Sequence, residues 1–309
     1  MARTVDPAGY LQSRGFEVIR QGRHMSARLH GDEIYRLTQK EDGRFLWCDL
    51  FGNSGGDTID LVMDVENVDF VEAVRRLIGD ASSSWRPVEV KLPPRQPPVL
   101  PPQEPEHQEA GRRYLRCRGI SRETILYAEQ SGVLRYSAGG VLFVGRDQAG
   151  VPQNITRRAI DPDDAVQKRD LRGSDKRYPP VLPGDPAEVW IVEGGVDGLA
   201  VHDLARREGR NPPTVIVSGG ARVHSFLNRP EVQAMLKQAL SITVALDREA
   251  KAETQAKTNA AHDKQIKIIR EVTGRDANRW FPPEGVKDLA ELNQKFAEVE
   301  NRRGFRMGM

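Results

Sequence analysis

Cysteine is almost missing from these 309 residues; only Cys48 and Cys117 occur. Two thiols make neither a disulfide framework nor, by themselves, a four-ligand zinc site. Long apolar runs are missing too, so no stretch reads as a membrane-spanning helix. The N-terminus lacks the basic-then-apolar layout of a secretion signal, and the expectation is a soluble, cytoplasmic protein without a membrane partner. No internal repeat is visible. Gly194, Gly195 and Gly198 do not have G-x-G-x-x-G spacing, which removes a dinucleotide fingerprint.

Charge is present but unevenly spread. Residues 1–109 carry 13 Lys/Arg against 18 Asp/Glu (net −5), residues 110–180 carry 14 against 8 (net +6), and residues 181–309 carry 19 against 18 (net +1). A basic middle beside an acidic segment suits a polyanionic partner. Proline marks the first boundary: eight of the twenty fall within 81–108, which reads as a semi-rigid linker. Before it, residues 1–80 form a small α+β module. "DEIYRLTQKEDGRFLWCDL" is a hairpin turning at Glu41-Asp42-Gly43, and two helices follow, with stripes Ile59, Val62, Met63 and Phe70, Val74, Leu77. After the linker, 109–183 holds two helices broken at Gly119, the second capped by Ser121. Two short strands follow, joined through Gln148-Ala149-Gly150, and then a polar, basic, looped stretch up to 180.

From about 184 to 309 the pattern becomes α/β. "EVWIVEGG", "TVIVSGG", "SITVALD" and "ANRWF" are apolar runs that each lead into a loop or helix, the signature of a parallel sheet covered on both faces. In such sheets ligands gather at the carboxyl ends of the strands. Glu193, the Ser218-Gly219-Gly220 turn and Asp247 all fall there, with Asp197 and Glu249 close behind. Carboxylates so grouped repel one another unless a cation neutralises them, and an oxygen-only donor set suits Mg²⁺. Gly194, Gly219 and Gly220 let phosphate or metal approach the backbone. Taken singly, each acid also reads as a helix N-cap or a solvated charge.

These segments resemble the Toprim domain of bacterial-type primases, topoisomerases and some nucleases: "VWIVEGGVDGLAV", then "TVIVSGGA", then "ITVALDRE". The resemblance implies a Rossmann-like parallel sheet flanked by helices, with Glu193 in acid/base chemistry beside Asp197, and Asp247 and Glu249 binding Mg²⁺ or Mn²⁺. Glu249 stands where the family usually has Asp. Upstream, "VLFVGRDQAGVPQNITRRAI" and "LRGSDKRYPPVLPG" are similar to the basic half of a primase catalytic core. "YLRCRGISRETI" resembles a region joined to Toprim in plasmid and mobile-element proteins. "GGDTIDLVM…DFVEAVRRLIG" is similar to the tail of the primase zinc-binding domain. The zinc ligands of that domain are missing: His24, His30 and Cys48 come without C-x-x-C spacing, Cys48 reads as a small buried hydrophobe beside Trp47, and zinc is not expected.

In the basic middle, Arg157, Arg158, Lys168, Arg169, Arg172, Lys176 and Arg177 are candidates for contacts to template or triphosphate, and Tyr178 for stacking on a base. The expected activity is primer synthesis on single-stranded DNA from nucleoside triphosphates with Mg²⁺, for a plasmid, phage or mobile element, alongside a helicase or relaxase. A Toprim nuclease, with water as nucleophile, and a non-catalytic DNA-binding accessory are the alternatives. A topoisomerase is disfavoured, since nothing resembles the separate tyrosine-bearing domain.

Overall fold

Alternation of apolar and polar residues builds the first sheet. The computed structural model describes residues 5–29, 31–50, 55–79 and 96–307, and the chain divides into two units, Met1–Gln96 and Pro97–Met309. In the first unit, α1 (Pro7–Ser13) starts on Asp6, whose side chain accepts from the Ala8 N–H at 3.0 Å. An antiparallel meander follows: β1 (Glu17–Gln21), β2 (His24–Leu29), β3 (Asp32–Gln39), β4 (Phe45–Asp49) and β5 (Gly55–Gly56), paired in that order. Helices α2 (Thr58–Glu66) and α3 (Phe70–Gly79) complete the unit, α2 opening on a capping box between Asp57 and Asp60. One core joins Met25, Tyr35, Leu37, Phe45 and Trp47 of the sheet to Leu61, Val62, Ala73 and Leu77 of the helices.

Two expectations fail here. Cys48 is exposed: it follows the buried Trp47 on a strand, where successive side chains point to opposite faces. Phe70 opens α3 and is 52% exposed, because the buried stripe runs through Ala73 and Leu77 instead. Of the three residues weighed for zinc, His24 is exposed with Nδ1 3.1 Å from Thr38 Oγ1, and His30 lies outside the described residues.

The second unit starts within the expected linker. Residues 81–95 of that stretch lie outside the described residues, and its last four residues, 105–108, are already helical. The reason is local: Pro105 occupies the first position of α4 (Pro105–Cys117), where its fixed φ favours a helix and no N–H is needed. After Gly119 (φ 78°) comes α5 (Arg122–Gln130), with the Ser121 hydroxyl accepting from Thr124 N at 3.2 Å. Strands β6 (Leu134–Ser137), β7 (Gly140–Arg146), β8 (Pro152–Ala159) and β9 (Lys168–Asp170) form an antiparallel sheet. The segment expected to be wholly looped thus contributes β9, which pairs through Thr156↔Asp170 and Arg158↔Lys168.

The second sheet contains β10 (Val181–Leu182), β11 (Asp185–Val192), β12 (Pro213–Val217), β13 (Ser241–Ala245) and β14 (Asn278–Trp280). Its order is β10-β12-β11-β13-β14, with β10 antiparallel and the rest parallel. The connecting helices are α6 (Gly195–Arg207), α7 (Pro230–Gln238) and α8 (Ala252–Thr273), and α9 (Leu289–Met307) follows β14. Neighbouring residues of β11 feed opposite cores: Val192 joins α6 and α9 on one face, while Ile191 joins α7 and α8 on the other. One cluster holds Leu134, Tyr136 and Phe143 together with Val192, Leu199 and Val215. Among the described residues no helix is long and apolar enough to cross a membrane.

Candidate active site

The sheet order decides where the acids meet. β11 is central, and the chain leaves it through α6 to β12 on one side, then returns past it through α7 to β13 on the other. The crevice at such a reversal opens at the carboxyl ends of the strands. Glu193 follows β11 there, flanked by the Ser218-Gly219-Gly220 turn after β12 and by Asp247 after β13. The turn is tied to β11: Ser218 N donates to Val192 O at 2.8 Å, and Gly219 N to Glu193 O at 3.2 Å. Gly219 has φ 80°, a conformation that side-chain-bearing residues rarely adopt. Gly195 is required for a different reason: a Cβ there would overlap the ring of Phe143 on β7. Gly195 thus serves the docking of one sheet on the other. The Gly194 position is similarly filled, since a Cβ would run into the Asp197 carboxylate.

A cavity of about 410 Å³ opens here, and Glu193, Asp197, Asp247 and Asp288 line it. Asp197, 9% exposed, accepts a hydrogen bond from Ala290 N at 3.0 Å, which fixes the start of α9. A carboxylate in the first turn of a helix is normally stabilised in its charged form. Here burial, then repulsion from Asp288, pushes the Asp197 pKa up to about 7, against the Ala290 N–H and the Arg118 charge. Asp247 is pushed up to about 8 by burial and then by Asp197, Glu193 and Asp288, with Lys287 opposing. The four acids therefore form one electrostatic unit with excess negative charge.

Glu249 does not line the cavity; its backbone N–H donates to Gln255 Oε1 at 2.7 Å where the chain turns into α8. Asp288 takes a place that sequence reasoning missed. The signal was weak: β14 is only Asn278-Arg279-Trp280, largely exposed rather than an apolar run, although "PPEGVKD" does bring an acid after it as the other strands do. Glu193 has a second neighbour that sequence reasoning also missed. His262 of α8, 1% exposed, places Nε2 at 3.3 Å from Glu193 Oε1.

The opposite wall is basic. Arg158 and Lys168, paired across β8 and β9, both line the cavity with Thr156. Lys168 and Lys176 donate to Gly219 O at 3.1 and 3.0 Å, and Lys176 also pairs with Asp170 at 2.9 Å. The Lys168 side chain is open to solvent over its length, while its ammonium reaches into this crowd. Desolvation there, with help from the Lys176 charge, pushes its pKa down, against Glu193, Asp170 and Asp197. Arg157 is a correction: it is buried, donating to Gly139 O at 2.7 Å and pairing with Asp164 at 3.2 Å, because β8 alternates and turns it away from the cavity. Arg177 is held on Asp175 at 2.8 Å, and Arg169 and Arg172 are exposed. The guanidinium of Arg229 lies 3.9 Å from the centre of the Tyr178 ring, so one face of that ring is covered.

Among the described residues no three His, Cys, Asp or Glu side chains converge closely enough to enclose a metal ion by themselves. Mg²⁺ does not need that: it commonly keeps several waters and uses one or two carboxylates. The all-oxygen set around Asp247, with its surplus negative charge, fits such an ion.

No protein-family model matches this sequence, and no curated protein matches it. Among solved structures, the chain is similar to a DnaG catalytic core, 16% identical over 65% of this chain and 74% of that one, with TM-score 0.44. It is also similar to the E. coli primase catalytic core, 18% identical over 62% of this chain and 70% of that one, TM-score 0.42. A third is the primase fragment of the bacteriophage T7 primase-helicase protein, 15% identical over 93% of this chain and 99% of that one, TM-score 0.42.

Proposed function

We propose that the protein is a Toprim-type nucleotidyltransferase that makes primers on single-stranded DNA from nucleoside triphosphates, in the replication or transfer of a plasmid, phage or mobile element. The observation that carries this reading is the single cavity with Glu193, Asp197, Asp247 and Asp288 on one wall and Arg158 and Lys168 on the other. Such a cleft suits a reaction between two phosphate-bearing partners. The basic wall would hold template or triphosphate, and the acids would face the reacting centre. Asp247 and Asp288, with Glu249 behind them, would hold Mg²⁺ or Mn²⁺, which when bound supplies charge stabilisation at a transferred phosphoryl group. Glu193 would take the proton of the attacking 3′-hydroxyl, with Asp197 beside it, its backbone set at the carboxyl end of β11 where the chain turns into α6. A helicase or relaxase is the expected partner in the cell.

The test is incubation of the purified chain with labelled nucleoside triphosphates, single-stranded DNA and Mg²⁺. Primers of defined length should form with wild type, and Glu193→Gln should reduce synthesis by about 10²-fold or more while leaving single-strand affinity within about twofold. Cleavage of DNA in place of synthesis, abolished by the same substitution, replaces this reading with a nuclease. If neither activity responds to Glu193→Gln, the non-catalytic accessory reading stands.

A further inference from the structure

Helix α8 presents a buried stripe to the sheet: Thr258, His262, Gln265, Ile266 and Ile269. Ile266 and Ile269 join the apolar core beneath β11 and β13. His262 occupies a buried position on that same stripe, shared with Ile266 and Ile269. A histidine there brings two ring nitrogens out of water, and each buried nitrogen left unpaired is destabilising. One of the two, Nδ1, has no hydrogen-bond partner among the described residues. The other, Nε2, is 3.3 Å from Glu193 Oε1, and no other hydrogen bond to that carboxylate occurs among the described residues. Packing does not account for a histidine at this position, whereas the contact with Glu193 does.

Hydrogen-bond chemistry fixes the roles. An ionised carboxylate only accepts, so the proton lies on Nε2 and the imidazole donates to Oε1. Glu193 itself follows directly on a strand and precedes two glycines, so its backbone is set while its side chain has no neighbour from its own element to lock it. The bond from α8 supplies that lock, engaging Oε1 and leaving Oε2 for the cavity that Glu193 lines.

We propose that His262 is the positioning residue of Glu193, its Nε2–H holding the carboxylate in the one orientation from which it can receive a proton from substrate. This rests on the role given to Glu193 above and goes beyond it by assigning a residue from a different helix to that role.

The pairing and the chemistry are tested separately. In ¹⁵N spectra of the imidazole rings of the full chain, His262 should show the Nε2-protonated tautomer, and Glu193→Ala should move its Nε2 signal. Identical ring signals in the two proteins overturn the proposal. In primer synthesis, His262→Leu should lower kcat by about 10–100-fold with KM within about twofold, since a misoriented base affects the chemical step rather than binding. His262→Gln, whose amide can donate from a similar place, should recover kcat to within about fivefold of wild type. A folded His262→Leu protein with wild-type kcat, or a loss confined to KM, also overturns it. Should wild type make no primers, the functional reading falls by itself and the ring signals alone decide the pair: unmoved signals refute it, and moved signals retain it for whatever reaction Glu193 serves.

Discussion

Replacing Asp247 with asparagine should stabilise the metal-free protein near pH 8 and leave it unchanged near pH 4. The Asp247 side chain accepts no hydrogen bond among the described residues, and it faces Asp197, Glu193 and Asp288, with Lys287 opposing them. Its pKa rises from 3.8 to about 8 on folding. An acid with a raised folded pKa makes the native state bind more protons than the unfolded chain between those two values. Stability is therefore fully present below about pH 4 and falls as pH rises toward 8. Each pH unit across the window costs at most about 1.4 kcal/mol for one proton. Residual solvation and sharing of the effect with Asp197 reduce the total for this one residue to about 1–3 kcal/mol. Asparagine keeps the shape and removes the charge. For a unit of this size 1 kcal/mol corresponds to about 2–4 °C, so the variant should melt about 2–12 °C above wild type at pH 8 in EDTA. Thermal unfolding at pH 4.5, 6, 7 and 8, with and without Mg²⁺, reads it directly. Saturating Mg²⁺ should restore wild type and do little for the variant. An asparagine variant less stable than wild type at pH 8 without metal would refute the account of mutual repulsion.

Titration calorimetry should find Mg²⁺ affinity weakened about tenfold or more by Asp288→Asn, yet altered less than about threefold by Glu249→Gln, because only Asp288 of the two lines the cavity. Replacing Arg158 and Lys168 together by alanine should lower single-strand affinity and reduce the slope of log K against log salt by about 1.4, two lost phosphate contacts at about 0.7 each; an unchanged slope would show that this wall does not meet the backbone. Gly195→Ala should cost about 1–3 kcal/mol and broaden the unfolding transition, since its Cβ overlaps the Phe143 ring between the two sheets. Wild-type melting of that variant would mean that the sheets tolerate separation there.

Much of the architecture was legible in local pattern. The apolar runs of β11, β12 and β13 announced a two-faced parallel sheet, and the β3–β4 hairpin followed from alternation around a Gly43 turn with φ 83°. Strand ends are set by the nearest few residues, so Glu193, Ser218 and Asp247 could be put at carboxyl ends without knowing what lies beside them. Burial on one particular face was harder. Cys48 and Arg157 each sit next to residues of the opposite orientation, and composition does not say which phase of the alternation points inward.

What the chain determines by itself, then, is the type and order of its elements, because propensity, capping and periodicity act over a few residues. Which acids share a cavity belongs to the tertiary structure. The strand order β12-β11-β13-β14 brings Asp288 to Asp197 across 91 positions of sequence, and the shared core of the two sheets brings Lys168 to the Gly219 carbonyl across 51. α8 likewise carries His262 to Glu193 from 69 residues away. Such encounters depend on how helices pack over an open sheet, and no short-range signal in the residues themselves encodes a distance of that kind. The same holds for the charge state of the site, since Asp197 and Asp247 acquire their raised pKa values only from the burial and repulsion that folding imposes.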